Sequence, residues 1–145
     1  MQTFLPFPQF DRCASVLDNK RLGKQRVETL QIFNALLGKS KGWTNHPAVR
    51  MWRGYESALF QYQVATVREW LGRGFNDTCL QKTAHVFGVT ASNLDEKLSG
   101  PMPPWLGRFD LHQSHRSNLV RKDFTHYGQF GWPEDGTHPY VWPVA

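Results

Sequence analysis

The chain has no run of 18 consecutive apolar residues, so no segment of it is expected to span a membrane. Its first ten residues lack the basic stretch followed by an apolar one that marks a secretion signal. Cysteine is scarce. Cys13 and Cys79 lie far apart, share no CxxC spacing, and read as free buried thiols of a cytoplasmic protein. No Walker loop and no GxGxxG is present, which disfavours nucleotide-driven motors and dinucleotide enzymes, and no cofactor is expected. Internal repeats, low-complexity stretches and linkers are absent as well, so 1–145 reads as one domain.

Acids are few where bases are many. Between Ser15 and Tyr55 stand Lys20, Arg21, Lys24, Arg26, Lys39, Lys41, Arg50 and Arg53, against Asp18 and Glu28 alone. That excess of six exceeds the +5 of the whole chain, so the charge is concentrated there. A focused basic surface favours polyanions: DNA, RNA or phosphorylated small molecules.

The hydrophobic spacing predicts a mainly α, compact single domain of three or four helices with irregular N- and C-terminal arms. Residues 1–13, with two prolines and three phenylalanines, form the first arm. Ser15 and Asp18 resemble a capping box, opening a helix that stops at Gly38. Gly23 inside it costs about 1 kcal/mol relative to alanine and would let a backbone or phosphate approach. Asn45 or His46 would cap the next helix, with Pro47 at its first position, running to Gly72 or Gly74. Trp52, Tyr55, Leu59, Tyr62, Val67 and Leu71 mark its apolar stripe. Shorter helices are expected over 78–87 and 92–98, a last one over 111–122, and an extended aromatic tail over 132–143.

Three constellations carry candidate chemistry. Lys20 and Lys24, and again Lys24 and Glu28, are four apart and share a helix face with Arg21. One carboxylate so ends a row of cations, which favour its charged form. An anion held beside DNA is what stabilising a sugar oxocarbenium ion requires; the plainer reading is a solvated Lys–Glu face. The second is Trp43-Thr44-Asn45-His46-Pro47 with Arg50, Trp52 and Arg53. These could stack on a base and grip flanking phosphates, with Trp52 the more natural core residue. The third is His112-Gln113-Ser114-His115-Arg116 with Arg121 and Lys122, read as a second basic surface on the DNA backbone. His112 and His115 have no third ligand in view, so no metal site is expected.

The blocks LDNKRLGKQRVETL (17–30), GKSKGWTNHP (38–47) and EWLGRGFNDT (69–78) resemble the pyrimidine-dimer DNA glycosylase family of the phage endonuclease V type, and most of all its divergent bacterial branch. The resemblance covers about the first 80 residues. It implies a compact helical domain that bends double-stranded DNA, flips a nucleotide out and cuts its N-glycosidic bond in DNA repair. It further implies attack of the N-terminal amine on C1′, assistance by Glu28 within Arg26-Val27-Glu28, an imine, and strand nicking by β-elimination. Arg26 would contact phosphate. The family exposes a small residue after methionine removal, whereas this chain begins Met1-Gln2-Thr3. The amine is therefore that of Met1 or Gln2, or is replaced by Lys20 or Lys24, or Glu28 activates water instead. A nucleoid-associated monomer is expected. A non-catalytic binding module of the same fold, and an enzyme of free nucleotides, are the alternatives.

Overall fold

Apolar spacing sets the long helices, and side-chain caps open two short ones, at His46 and Asp123. The structure, a computed structural model, describes residues 1–144; Ala145 lies outside the described residues. Among them are eight α-helices: α1 (Phe10–Val16), α2 (Asn19–Leu36), α3 (Pro47–Arg50), α4 (Glu56–Gly72), α5 (Cys79–Phe87), α6 (Leu94–Lys97), α7 (Phe109–Lys122) and α8 (Phe124–Tyr127). The mainly α class is as expected. Three or four helices is an undercount: α1 forms inside the stretch read as an irregular arm, the helix expected from Pro47 splits into α3 and α4, and the four-residue α8 is too short to show a period.

The ends of α2 show how far local signals reach. Gly38 adopts φ 73°, and the Gly38 and Lys39 N–H groups donate to the Ala35 and Asn34 carbonyls at 3.3 and 2.8 Å. This closes the helix as the glycine predicts. At the other end the capping box does not form. Ser15 Oγ donates to the Arg12 carbonyl at 2.8 Å, inside α1, which begins in what reads as the irregular arm. Asp18 instead accepts the Tyr127 hydroxyl at 2.5 Å and an Arg21 guanidinium at 3.3 Å. The helix expected from Pro47 to Gly72 is broken at 51–55, where Gly54 turns left-handed at φ 86°. The stripe survives the break: Trp52, Leu59, Tyr62 and Val67 are buried, while Leu71 is exposed.

Helix α2 packs on α4 and α5, and α1 on α4. Two apolar clusters result. One holds Ile32, Phe33, Trp52, Leu59, Tyr62 and Leu111; the other holds Leu17, Leu22, Leu119 and Tyr127. The first seven residues run between them, with Leu5 and Phe7 in the first and Phe4 in the second. That threading brings the chain's start to the middle of α2.

Candidate active site

An extended segment with no strand beside it must satisfy its backbone through side chains. Residues 1–7 do so one after another. The Gln2 N–H donates to Glu28 Oε2 at 3.1 Å, and the Gln2 carbonyl accepts from Gln25 Nε2 at 2.9 Å. Gln25 Oε1 takes the Phe4 N–H at 2.8 Å. The Tyr62 hydroxyl lies 2.8 Å from the Phe4 carbonyl and 2.5 Å from Gln25 Oε1. The Leu5 N–H donates to His115 Nδ1 at 2.8 Å, and the Leu5 carbonyl accepts from His112 Nδ1 at 2.7 Å. Trp52 Nε1 donates to Thr3 Oγ1 at 3.1 Å, and Arg116 Nη1 to the Pro6 carbonyl at 2.8 Å. A chain end is ordinarily the loosest part of a domain. This one is fixed by bonds worth about 0.5–1.5 kcal/mol each.

Its first residues line a cavity of about 260 Å³. Glu28, Lys20, Arg21 and Lys24 come from α2, Lys122 from α7, and Tyr140 and Trp142 from the tail; Met1, Gln2 and Phe4 complete the lining. One carboxylate therefore shares a half-enclosed space with four cationic side chains. Burial, then Arg21, Arg121 and Lys24, hold the Lys122 amine below its ordinary pKa. Burial pushes the Tyr140 hydroxyl up to about 12, so it stays a neutral donor. A larger hollow of about 470 Å³ lies against α1 and α4, but there Asp11 and Glu69 stand beside Arg68, and neither an amine nor a buried anchor is present.

His46 does not line this cavity but packs against Trp142, one of its walls. Its Nδ1 accepts the Ala48 N–H at 3.0 Å and caps α3, so in the neutral ring the proton sits on Nε2. Trp43 and Trp142 present their rings edge-on to it at 5.6 and 5.8 Å. Burial first and the N-terminal ammonium second lower its pKa, against the pull of Glu28.

Most of these parts lie early in the chain. The sequence model of the family described as pyrimidine dimer DNA glycosylase matches residues 1–83. The chain belongs to that family. No curated protein and no solved structure matches it significantly. The matched region contains the cavity residues Met1, Gln2, Phe4, Lys20, Arg21, Lys24 and Glu28, while Lys122, Tyr140 and Trp142 of the same cavity lie beyond it.

Several residues expected at DNA are placed otherwise. Lys20, Lys24 and Glu28 also line an open groove of about 510 Å³ on the other side of α2, walled by Val27 and Trp70. Gly23 makes room for the Trp70 indole, not for a backbone or phosphate: an added Cβ would meet the ring at 3.1 Å. Arg26 is a correction, because its guanidinium pairs with Asp77 and lies 4.2 Å over Trp70. His112, His115 and Arg116 are corrected too. The histidines are buried on Leu5, and Arg116 pairs with the buried Glu134. Burial holds His115 at about 3, so it is neutral. Lys39, Lys41, Asn45, Arg50 and Arg53 are exposed, and Arg121 is bonded to Asn118.

Gln25, Tyr62, Tyr140 and Trp142 escaped the sequence reading. For Gln25 a signal exists: with Leu22, Thr29 and Ile32 it falls on the buried face of α2, and a glutamine on a core stripe needs partners. Tyr140 and Trp142 alternate along the tail, which Ser114, Ser117 and Asn118 of α7 hold by its backbone at 141 and 138.

Proposed function

We propose that this protein excises damaged pyrimidines, cyclobutane dimers in the first instance, from double-stranded DNA by nucleotide flipping, and then nicks the strand. The observation that carries the reading is the N-terminal segment clamped onto Glu28 inside a cation-lined cavity. The cations Lys20, Arg21, Lys24 and Lys122 suit the phosphates around an extruded nucleotide. The chain acts as a monomer in this reading.

The nucleophile is the α-amine of this segment. It is that of Met1, or of Gln2 once Met1 is trimmed, whose nitrogen already stands 3.1 Å from Glu28. Its lone pair attacks C1′ as the N-glycosidic bond breaks; the base keeps that bond's electron pair, takes up a proton and, in a cyclobutane dimer, stays joined to its neighbouring pyrimidine. The Glu28 carboxylate stabilises the developing oxocarbenium charge and receives the proton that the amine sheds. Ring opening then gives an imine, and loss of a C2′ proton expels the 3′ phosphate. In this reading His46, which packs on Trp142 of the cavity wall, would donate through Nε2–H to a substrate oxygen.

The test is duplex DNA carrying a cyclobutane pyrimidine dimer, with and without borohydride, read by denaturing gel and intact mass. The expected result is a trapped adduct mapping to the N-terminal residue. Glu28→Gln keeps DNA binding and loses glycosidic-bond cleavage by roughly 100-fold or more. Unchanged turnover in that variant removes Glu28 from the mechanism. Alkali-labile sites without an adduct replace the imine route by hydrolysis, and intact DNA despite binding points to a non-catalytic module.

A further inference from the structure

Among the described residues Trp43 is the only one other than glycine with a left-handed backbone, at φ 69°. A bulky side chain resists that conformation, and Gly42 next to it would adopt it freely. Nor is the ring buried in exchange, since Trp43 stays 57% exposed. The loop that carries it is held at both ends. The Lys39 and Ser40 N–H groups donate to the Asn34 carbonyl at 2.8 and 3.2 Å, and the His46 N–H donates to the Trp43 carbonyl at 2.9 Å. The Trp43 ring meets His46, and His46 meets Trp142, a wall of the cavity. Lys39 and Lys41, in the same loop, are exposed. Strain and exposure both oppose folding, so neither is explained by the stability of the domain.

We propose that Trp43 is a wedge that enters the base stack of a DNA duplex and fills the gap left by the nucleotide drawn into the cavity. The proposal rests on the glycosylase reading above. An extruded nucleotide leaves a space that recloses unless something stacks there, and an indole stacks on the flanking bases whatever their sequence. The fixed loop ends keep the ring raised beside the cavity before DNA arrives, and Lys39 and Lys41 lie where flanking phosphates pass.

The experiment compares wild type, Trp43→Gly and Trp43→Phe on one thymine dimer placed in a duplex and in a single strand. The single strand has no opposing stack to hold open. Trp43→Gly removes the ring and relieves the backbone, so its melting temperature stays within about 3 °C of wild type. On the duplex its kcat/KM falls about tenfold, as expected for one lost stacking contact; on the single strand it stays within about twofold, and Trp43→Phe recovers part of the loss. No fall on the duplex, or equal falls on both substrates, overturns the wedge. A wild-type protein that cuts neither substrate refutes the glycosylase reading itself, an outcome distinct from both.

Discussion

Gln25→Leu tests whether the N-terminal segment is held as the structure shows. Leucine fills similar space but offers no polar atom. The Phe4 N–H, 2.8 Å from Gln25 Oε1, and the Gln2 carbonyl, 2.9 Å from Gln25 Nε2, both lose their partner. The Phe4 carbonyl keeps the Tyr62 hydroxyl at 2.8 Å. Each buried group left unpaired costs about 1–3 kcal/mol, so the variant, with two of them, loses about 2–6 kcal/mol if the segment stays in place. For a domain of this size that is roughly 6–24 °C in melting temperature. If the segment peels away instead, the melting temperature falls less, but the amine leaves Glu28. Calorimetry and borohydride trapping at 25 °C therefore read the same clamp from two sides. We expect the melting temperature to fall and the trapping rate to drop at least about tenfold. A variant that melts within 2 °C of wild type (a shift well below the ~6 °C floor of the estimate) and traps at the wild-type rate would refute the argument.

Two further substitutions probe the support of the site. His115 is held at about 3 by burial, with His112 adding to the effect, against 6.5 for a free imidazole. Its folded pKa is depressed, so the unfolded chain binds the extra proton: stability is complete above about pH 6.5 and is lost as pH falls toward 3. At pH 5 the loss is about 2 kcal/mol relative to pH 7. His115→Gln, which keeps an acceptor for the Leu5 N–H, should remove that part of the pH dependence; an unaltered slope in the variant assigns it elsewhere. Gly23→Ala gains about 1 kcal/mol of helix propensity, yet its Cβ would stand 3.1 Å from the Trp70 ring. That ring is stacked on Phe75 at 4.2 Å and tied through Nε1 to the Asn76 carbonyl at 2.8 Å, so it yields little. We expect a net loss of about 1–3 kcal/mol, turning to a gain in a Trp70→Leu background. A gain in the wild-type background would show the ring to be free.

What the sequence made legible was local. Gly38 ends α2, Pro47 opens α3, and the Lys20–Lys24–Glu28 row needs only the helical repeat to bring its members onto one face. The break at 51–55 was not legible, because Trp52 and Leu59 keep to one side of the core across it. The roles of His112, His115 and Arg116 depend on which segment lies against α7. That segment is the N-terminus, more than a hundred residues away, and a polar run such as His112–Arg116 looks like solvent-facing surface until it arrives. Tyr140 and Trp142 were invisible for the same reason. Nothing near them in the chain says that the tail returns to the cavity.

The clamp also explains why so many buried polar side chains are tolerated in a chain of this size. Ordering a free chain end upon DNA binding would cost about 1–2 kcal/mol per residue in backbone entropy, across seven residues. Here that ordering is completed during folding, through Gln25, Tyr62, His112, His115 and Arg116. In the proposed mechanism the amine would then meet its substrate without further loss of freedom, which is how pre-organisation raises an intramolecular rate. The same residues consequently serve stability and placement at once. Their substitutions should move melting temperature and trapping rate together, whereas Glu28→Gln, which retains an oxygen for the Gln2 N–H, should lower the rate and leave the melting temperature nearly unchanged.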